Sequence, residues 1–159
     1  MFATEYLKPK GGVARVALHT ADAVGRLVVE EEGCRVSFAD TPLEVPLVEQ
    51  ASHFEETVTA DGGSIAVCHR LTMVAERNLA SEWLDPDFLR RAALQGVVAE
   101  VELCDSRRLL VGYSLRLAEE QPLRLQSMNS SSGQRPNDLP SITLTLSATD
   151  AEMAMPIIY

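Results

Sequence analysis

The segment from Val97 to Leu117, VVAEVELCDSRRLLVGYSLRL, constrains the fold more than any other part of the chain. Val97, Ala99, Val101 and Leu103 alternate with Val98, Glu100, Glu102 and Cys104. After the polar break Asp105-Ser106-Arg107-Arg108 the alternation resumes with Leu109, Val111, Tyr113, Leu115 and Leu117. A period of two puts one set of side chains on a core face and the other toward solvent. Two such runs around a short polar connection predict an antiparallel hairpin. A hairpin alone is marginal in water, so the remaining chain must supply sheets that cover its apolar face.

Other strand signals are spread along the chain. Val13 to Thr20 predicts a first strand, with Val16 and Leu18 on one face. Leu27 to Glu30 and Cys34 to Phe38 flank the turn Glu31-Glu32-Gly33, with Cys34, Val36 and Phe38 inward. Pro42 and Pro46 cannot donate to a ladder, so Thr41 to Pro46 is expected to be a connection or an edge strand. Ala51 to Thr59 and Ser64 to Ala75 form a long arm around Asp61-Gly62-Gly63, a turn whose glycines accept positive φ. Ile65, Val67, Leu71 and Met73 share one of its faces. Read as a three-residue loop, the turn sets Ala60 against Ser64 and His69 opposite Glu55. Leu123 to Met128 alternates again, and Ser141 to Ala148 is the cleanest strand.

The clearest helix runs from Asp85 to Gln95. Asp85 suits the N-cap, Pro86 the first helical position and Asp87 the first turn, and Gly96 stands where a terminating glycine belongs. Phe88, Leu89, Ala92 and Ala93 give its apolar stripe, and Trp83 is expected to pack beneath it. Residues 1–12 read as an N-terminal arm and residues 13–150 as one β-rich domain. Residues 129–140, NSSSGQRPNDLP, predict a mobile loop. The apolar tail 151–159 is expected to dock on its own domain or on a neighbouring subunit. The expected fold class is mainly β with one α-helix (α+β), an antiparallel β-sandwich or rolled sheet with the helix packed on one side.

At 159 residues the chain suits one domain with a genuine core. A net charge of −9 argues against sequence-specific nucleic-acid binding, which would call for a basic face. No apolar run approaches the ~18 to 20 residues of a membrane-spanning helix, so no membrane partner is expected. MFATEYLKPKGG lacks the basic and apolar regions of a signal peptide, which sets a cytoplasmic expectation. Cys34, Cys68 and Cys104 are too widely spaced for a disulfide framework and read as buried strand thiols.

Chemistry is sparse. His19, His53 and His69 all fall in predicted strands. His69 with Glu55 has the makings of an oriented general base, which would make the chain a small hydrolase, although an ordinary cross-strand pair is the simpler reading. Cys68 and His69 are adjacent, so in a strand they point to opposite faces and cannot chelate together. No zinc, calcium, phosphate-loop or nucleophile-elbow pattern occurs. No residue is therefore assigned a catalytic, cofactor-binding or metal-binding role, and the chain is expected to be non-enzymatic. A ligand-binding module using residues 129–140 is the main alternative.

The long arm around Asp61-Gly62-Gly63, the capped helix Asp85 to Gly96, the hairpin Val97 to Leu117 and the strand between Pro140 and Asp150 resemble small proteins of bacterial prophage-type gene clusters. More broadly, they resemble the β-sandwich-plus-helix subunits of phage tails and related injection machines. The resemblance spans residues 50–150 in outline and rests on architecture. It implies a structural subunit that assembles into homo-oligomeric rings through strand edges and arms. Other tail-like structural proteins would be further partners, and a virion-like particle an alternative location. The acidic balance would suit a lumen past which DNA slides.

Overall fold

The structure, a computed structural model, describes residues 11–49, 51–114, 119–150 and 152–158. It is mostly β, with antiparallel sheets and two short helices. In chain order the strands are β1 (Val13–Thr20), β2 (Val24–Glu30), β3 (Gly33–Phe38), β4 (Leu43–Glu44), β5 (His53–Asp61) and β6 (Ser64–Glu76). A 3-10 turn at Arg77–Leu79 leads to helices α1 (Ala80–Trp83) and α2 (Pro86–Leu94). Then come β7 (Val97–Leu103), β8 (Arg108–Val111), β9 (Tyr113–Ser114), β10 (Glu119–Glu120), β11 (Arg124–Ser131), β12 (Ser141–Asp150) and β13 (Met155–Pro156).

The strands assemble into a five-stranded sheet, β13-β8-β7-β1-β4, and a four-stranded sheet, β11-β12-β6-β5, with two-stranded ribbons β2-β3 and β9-β10. Val16, Leu18, Val101 and Val111 of the first large sheet and Leu71, Met73, Leu144 and Leu146 of the second meet in one buried cluster. Phe88, Ala92 and Trp83 of the helices join it. Period-2 alternation is cleanest in β12, where Ile142, Leu144, Leu146 and Ala148 are buried and the intervening residues are half-exposed.

The five-stranded sheet departs from simple alternation because both of its faces are covered. Val98, expected outward, is fully buried with Cys34, Leu110 and Ile157 in a second cluster. The β2-β3 hairpin and the chain around β13 make this second layer. Strands buried on both faces read as continuous apolar runs, which explains Val97-Val98-Ala99 and Leu109-Leu110-Val111. Tail residues therefore dock on their own domain: β13 pairs with β8, the Ile157 amide donates to the Arg108 carbonyl, and the Ile158 amide donates to the Cys34 carbonyl.

Gly33 permits that docking. A Cβ there would press on the Pro156 carbonyl oxygen and come within 3.2 Å of Ile158 Cγ2. Gly33→Ala is expected to cost about 1–3 kcal/mol, the usual penalty of overpacking. Thermal denaturation against Gly25→Ala, whose Cβ meets nothing closer than 3.5 Å, measures it.

Several local expectations change. The helical region holds two helices rather than one, and Ala93 is exposed while Phe88 and Ala92 face the core. Asp85 does cap α2, its Oδ1 accepting from the Phe88 amide at 2.6 Å, and Gly96 follows with φ of 82°. Residues 129–131 belong to β11, so the connection to β12 starts at Ser132. Asp138 folds it on itself, Oδ2 accepting from the Gln134 and Arg135 amides at 3.1 and 2.9 Å. Of the cysteines only Cys34 is fully buried, and burial pushes its thiol pKa up; Cys68 and Cys104 are half-exposed. Most of the N-terminal arm (residues 1–10), together with Leu115 and Leu117, lies outside the described residues. Among those described, no helix is long and apolar enough to cross a membrane.

Candidate functional site

Two histidine clusters and one cavity concentrate the polar chemistry. His69 comes first because the sequence singled it out. The turn is the two-residue loop Gly62-Gly63, with φ of 58° and 90°, so Asp61 pairs with Ser64 and Ala60 with Ile65. This one-residue shift sets His69 opposite Glu56 and turns Glu55 toward Arg70, which corrects the His69–Glu55 expectation. The tight loop wins because two positive-φ glycines match the twist of a hairpin. His69 is buried, and its Nε2 lies 3.1 Å from both Glu56 Oε2 and the Glu152 carbonyl. Glu56 Oε2 also accepts from the Ala154 amide at 2.7 Å. The pair thus fastens the chain that follows β12, and its Nε2 is already engaged. His53, in contrast, is exposed on β5.

His19 forms the second cluster, on the face of the five-stranded sheet opposite Val16 and Leu18. Phe38 of β3 stacks flat on its ring, centroids 3.5 Å apart and planes 8° apart. Two residues later, Asp40 reaches back: its Oδ1 lies 2.7 Å from His19 Nδ1, and its Oδ2 accepts from the Thr20 amide. On β7, Glu100 sits diagonally across from His19 and places Oε1 2.9 Å from Nε2. The other Glu100 oxygen is 3.5 Å from Arg108 of β8. Asp40 and Glu100 thus engage both ring nitrogens of His19. Burial raises the Asp40 pKa, but the hydrogen bonds from His19 and the Thr20 amide, with the His19 charge, outweigh it and hold the carboxyl below its ordinary value. With both nitrogens committed and the side chain 1% exposed, His19 has no nitrogen free for a substrate proton. It ties β1, β7 and the chain after β3 together.

The cavity lies beside this cluster, where the end of β1 and residues 40–43 meet α1 and α2. It holds about 310 Å³, at the small end for ligand sites. Leu18, Leu43, Phe88 and Val97 supply apolar wall, Trp83 stands edge-on to Phe88 with centroids 5.8 Å apart, and Asp40, Glu82, Asp85 and Arg91 bring charge. The Trp83 Nε1–H is buried and has no hydrogen-bond partner among the described residues. A second, polar hollow of about 370 Å³ lies along the starts of β11 and the ends of β12, lined by Arg124, Gln126 and Ser147 among others. Residues 132–140 line neither space, and neither do His69 and Glu55.

Sequence reasoning placed Trp83 beneath the helix but did not find the cavity or the partners of His19. The one usable signal was Phe38-Ala39-Asp40, where a period of two sets ring and carboxylate on the same side. Among the described residues, no three His, Cys, Asp or Glu side chains form a metal-binding group. Compared with protein-family models, curated proteins and solved structures, the chain matches none.

Proposed function

We propose that the protein is a non-catalytic assembly subunit, a two-sheet sandwich whose copies join through the borders of the four-stranded sheet. The observation that carries this reading is β11. Among the described residues it has β12 on one side and no strand on the other, and although α2 packs against this strand, Gln126–Ser131 stay exposed. From Gln126 to Ser131 it has no charged residue and no proline, and every residue there is exposed. Soluble proteins usually blunt such a border with charge, proline or a covering element.

The opposite border, β5, runs antiparallel to β11, because the four strands alternate in direction. An identical copy can therefore add its β11 to β5 of the previous one without breaking the alternation. Such a head-to-tail contact repeats from copy to copy and forms a ring when the rotation between copies closes. The β5-β6 arm adds apolar surface for the neighbour: Val58 and Ile65, on the core-side face, are 53% and 58% exposed. The five-stranded sheet is not used, since its outermost strands, β13 and β4, are only two residues long and offer little border to pair with. A phage-tail-like particle is the setting this reading favours.

Ser127 and Asn129 point away from the core, opposite Thr145 and Thr143. Changing both to lysine is expected to weaken self-association by about tenfold or more, equivalent to about 1.4 kcal/mol, without altering the fold. Sedimentation equilibrium gives the association constant and circular dichroism checks the fold. Unchanged association would remove β11 from the interface.

A further inference from the structure

The two borders of the four-stranded sheet carry opposite charge. On β11 the only charged residue is Arg124, whereas β5 carries Glu55, Glu56 and Asp61 and no lysine or arginine. A β5 border therefore repels a second β5 and attracts a β11. Arg124 stands at the start of β11 and Asp61 at the end of β5, both exposed, so an antiparallel pairing brings these two ends together.

A continuous sheet also needs matching faces. Leu125, Met128 and Ser130 of β11 lie opposite the buried Leu146, Leu144 and Ile142, so they take the core side and Arg124, Ser127, Asn129 and Ser131 the outer side. On β5, Phe54, Glu56 and Val58 lie opposite the buried Leu71, His69 and Val67, which leaves Glu55, Thr57, Thr59 and Asp61 on the outer side. Gln126 is the extra residue of a bulge in β11. With faces aligned, only two registers pair all of β11 with β5. One sets Arg124 against Asp61, Leu125 against Ala60 and Met128 against Val58. The other, two residues along, sets Arg124 against Thr59 and Met128 against Glu56. The first joins opposite charges and lays Met128, 40% exposed, on Val58, 53% exposed. The second presses Met128 onto a carboxylate already held by His69 and the Ala154 amide.

We infer that Arg124 of each copy pairs with Asp61 of the next and thereby fixes the first register, an inference that rests on assembly through β11 and β5. Arg124→Glu and Asp61→Arg each set like charges against each other, and each is expected to weaken self-association about fivefold or more. Combined in one chain they restore opposite charges, and association should return to within about twofold of the parent. In an equimolar mixture of the two single variants, every junction between unlike copies is again of opposite charge. The mixture should therefore associate more tightly than either variant alone. Sedimentation equilibrium reads all four samples, and circular dichroism checks each fold. Single variants that associate like the parent would overturn the pairing, and so would a double variant and a mixture that both fail to recover. If the lysine variant at Ser127 and Asn129 still weakens association in that case, only the register is wrong. If it has no effect, the assembly reading fails as well.

Discussion

Replacing His19 with alanine is expected to destabilise the protein by about 3 kcal/mol or more, the usual result of removing one partner from a buried charged network. The loss has three sources. Asp40 and Glu100, 24% and 17% exposed in their side chains, lose the ring that bridges them. The Phe38 ring loses its stacking partner. The connection between β1, β7 and the chain after β3 is cut. Urea denaturation measures the loss, and its pH dependence identifies the cause. In the parent protein Asp40 has a depressed pKa, so its contribution is present above the unfolded-state value and is lost as pH falls through the folded one. In the variant Asp40 and Glu100 lose the ring between them, Glu100 keeping only Arg108 beside it, and protonating a carboxylate relieves their repulsion. The deficit should therefore shrink as pH falls into the carboxylate range. A deficit independent of pH would mean that packing on Phe38, not charge, holds this corner.

Leu144→Ala is expected to cost about 3 kcal/mol, because the side chain is fully buried and its neighbours belong to both large sheets. Its sequence neighbour Thr143 faces the other side of β12 and is half-exposed. Thr143→Ala should therefore cost less than about 1 kcal/mol. The two changes sit one residue apart, so their contrast tests the register directly. Equal costs would mean that β12 does not present alternate faces to core and solvent.

The difference between what could and could not be read in advance has a physical basis. β1 was legible to the residue, as were the extended character of β12 and the cap at Asp85, because each rests on interactions spanning a few positions. The register of the β5-β6 arm was missed by one residue because Asp-Gly-Gly is compatible with two loop lengths. Only the pairing of both glycines at positive φ decides between them. Val98 was assigned outward because alternation assumes one covered face, and the covering layer comes from segments near Cys34 and Ile157. The His19 cluster was out of reach for the same reason: Asp40 and Glu100 lie 21 and 81 positions away in the chain. The cavity is likewise built from the end of β1, the residues after β3 and the turn before α2, with no local pattern to announce it.

The central claim is that β11 and β5 are surfaces for a second copy, and the mass of the protein in solution tests it most directly. Size-exclusion chromatography with light scattering, over about a hundredfold range of concentration, reads that mass as association responds to it. The account requires a mass that is a multiple of the monomer's at high concentration and that falls when Ser127 and Asn129 are lysine. A monomer mass at every concentration would contradict it.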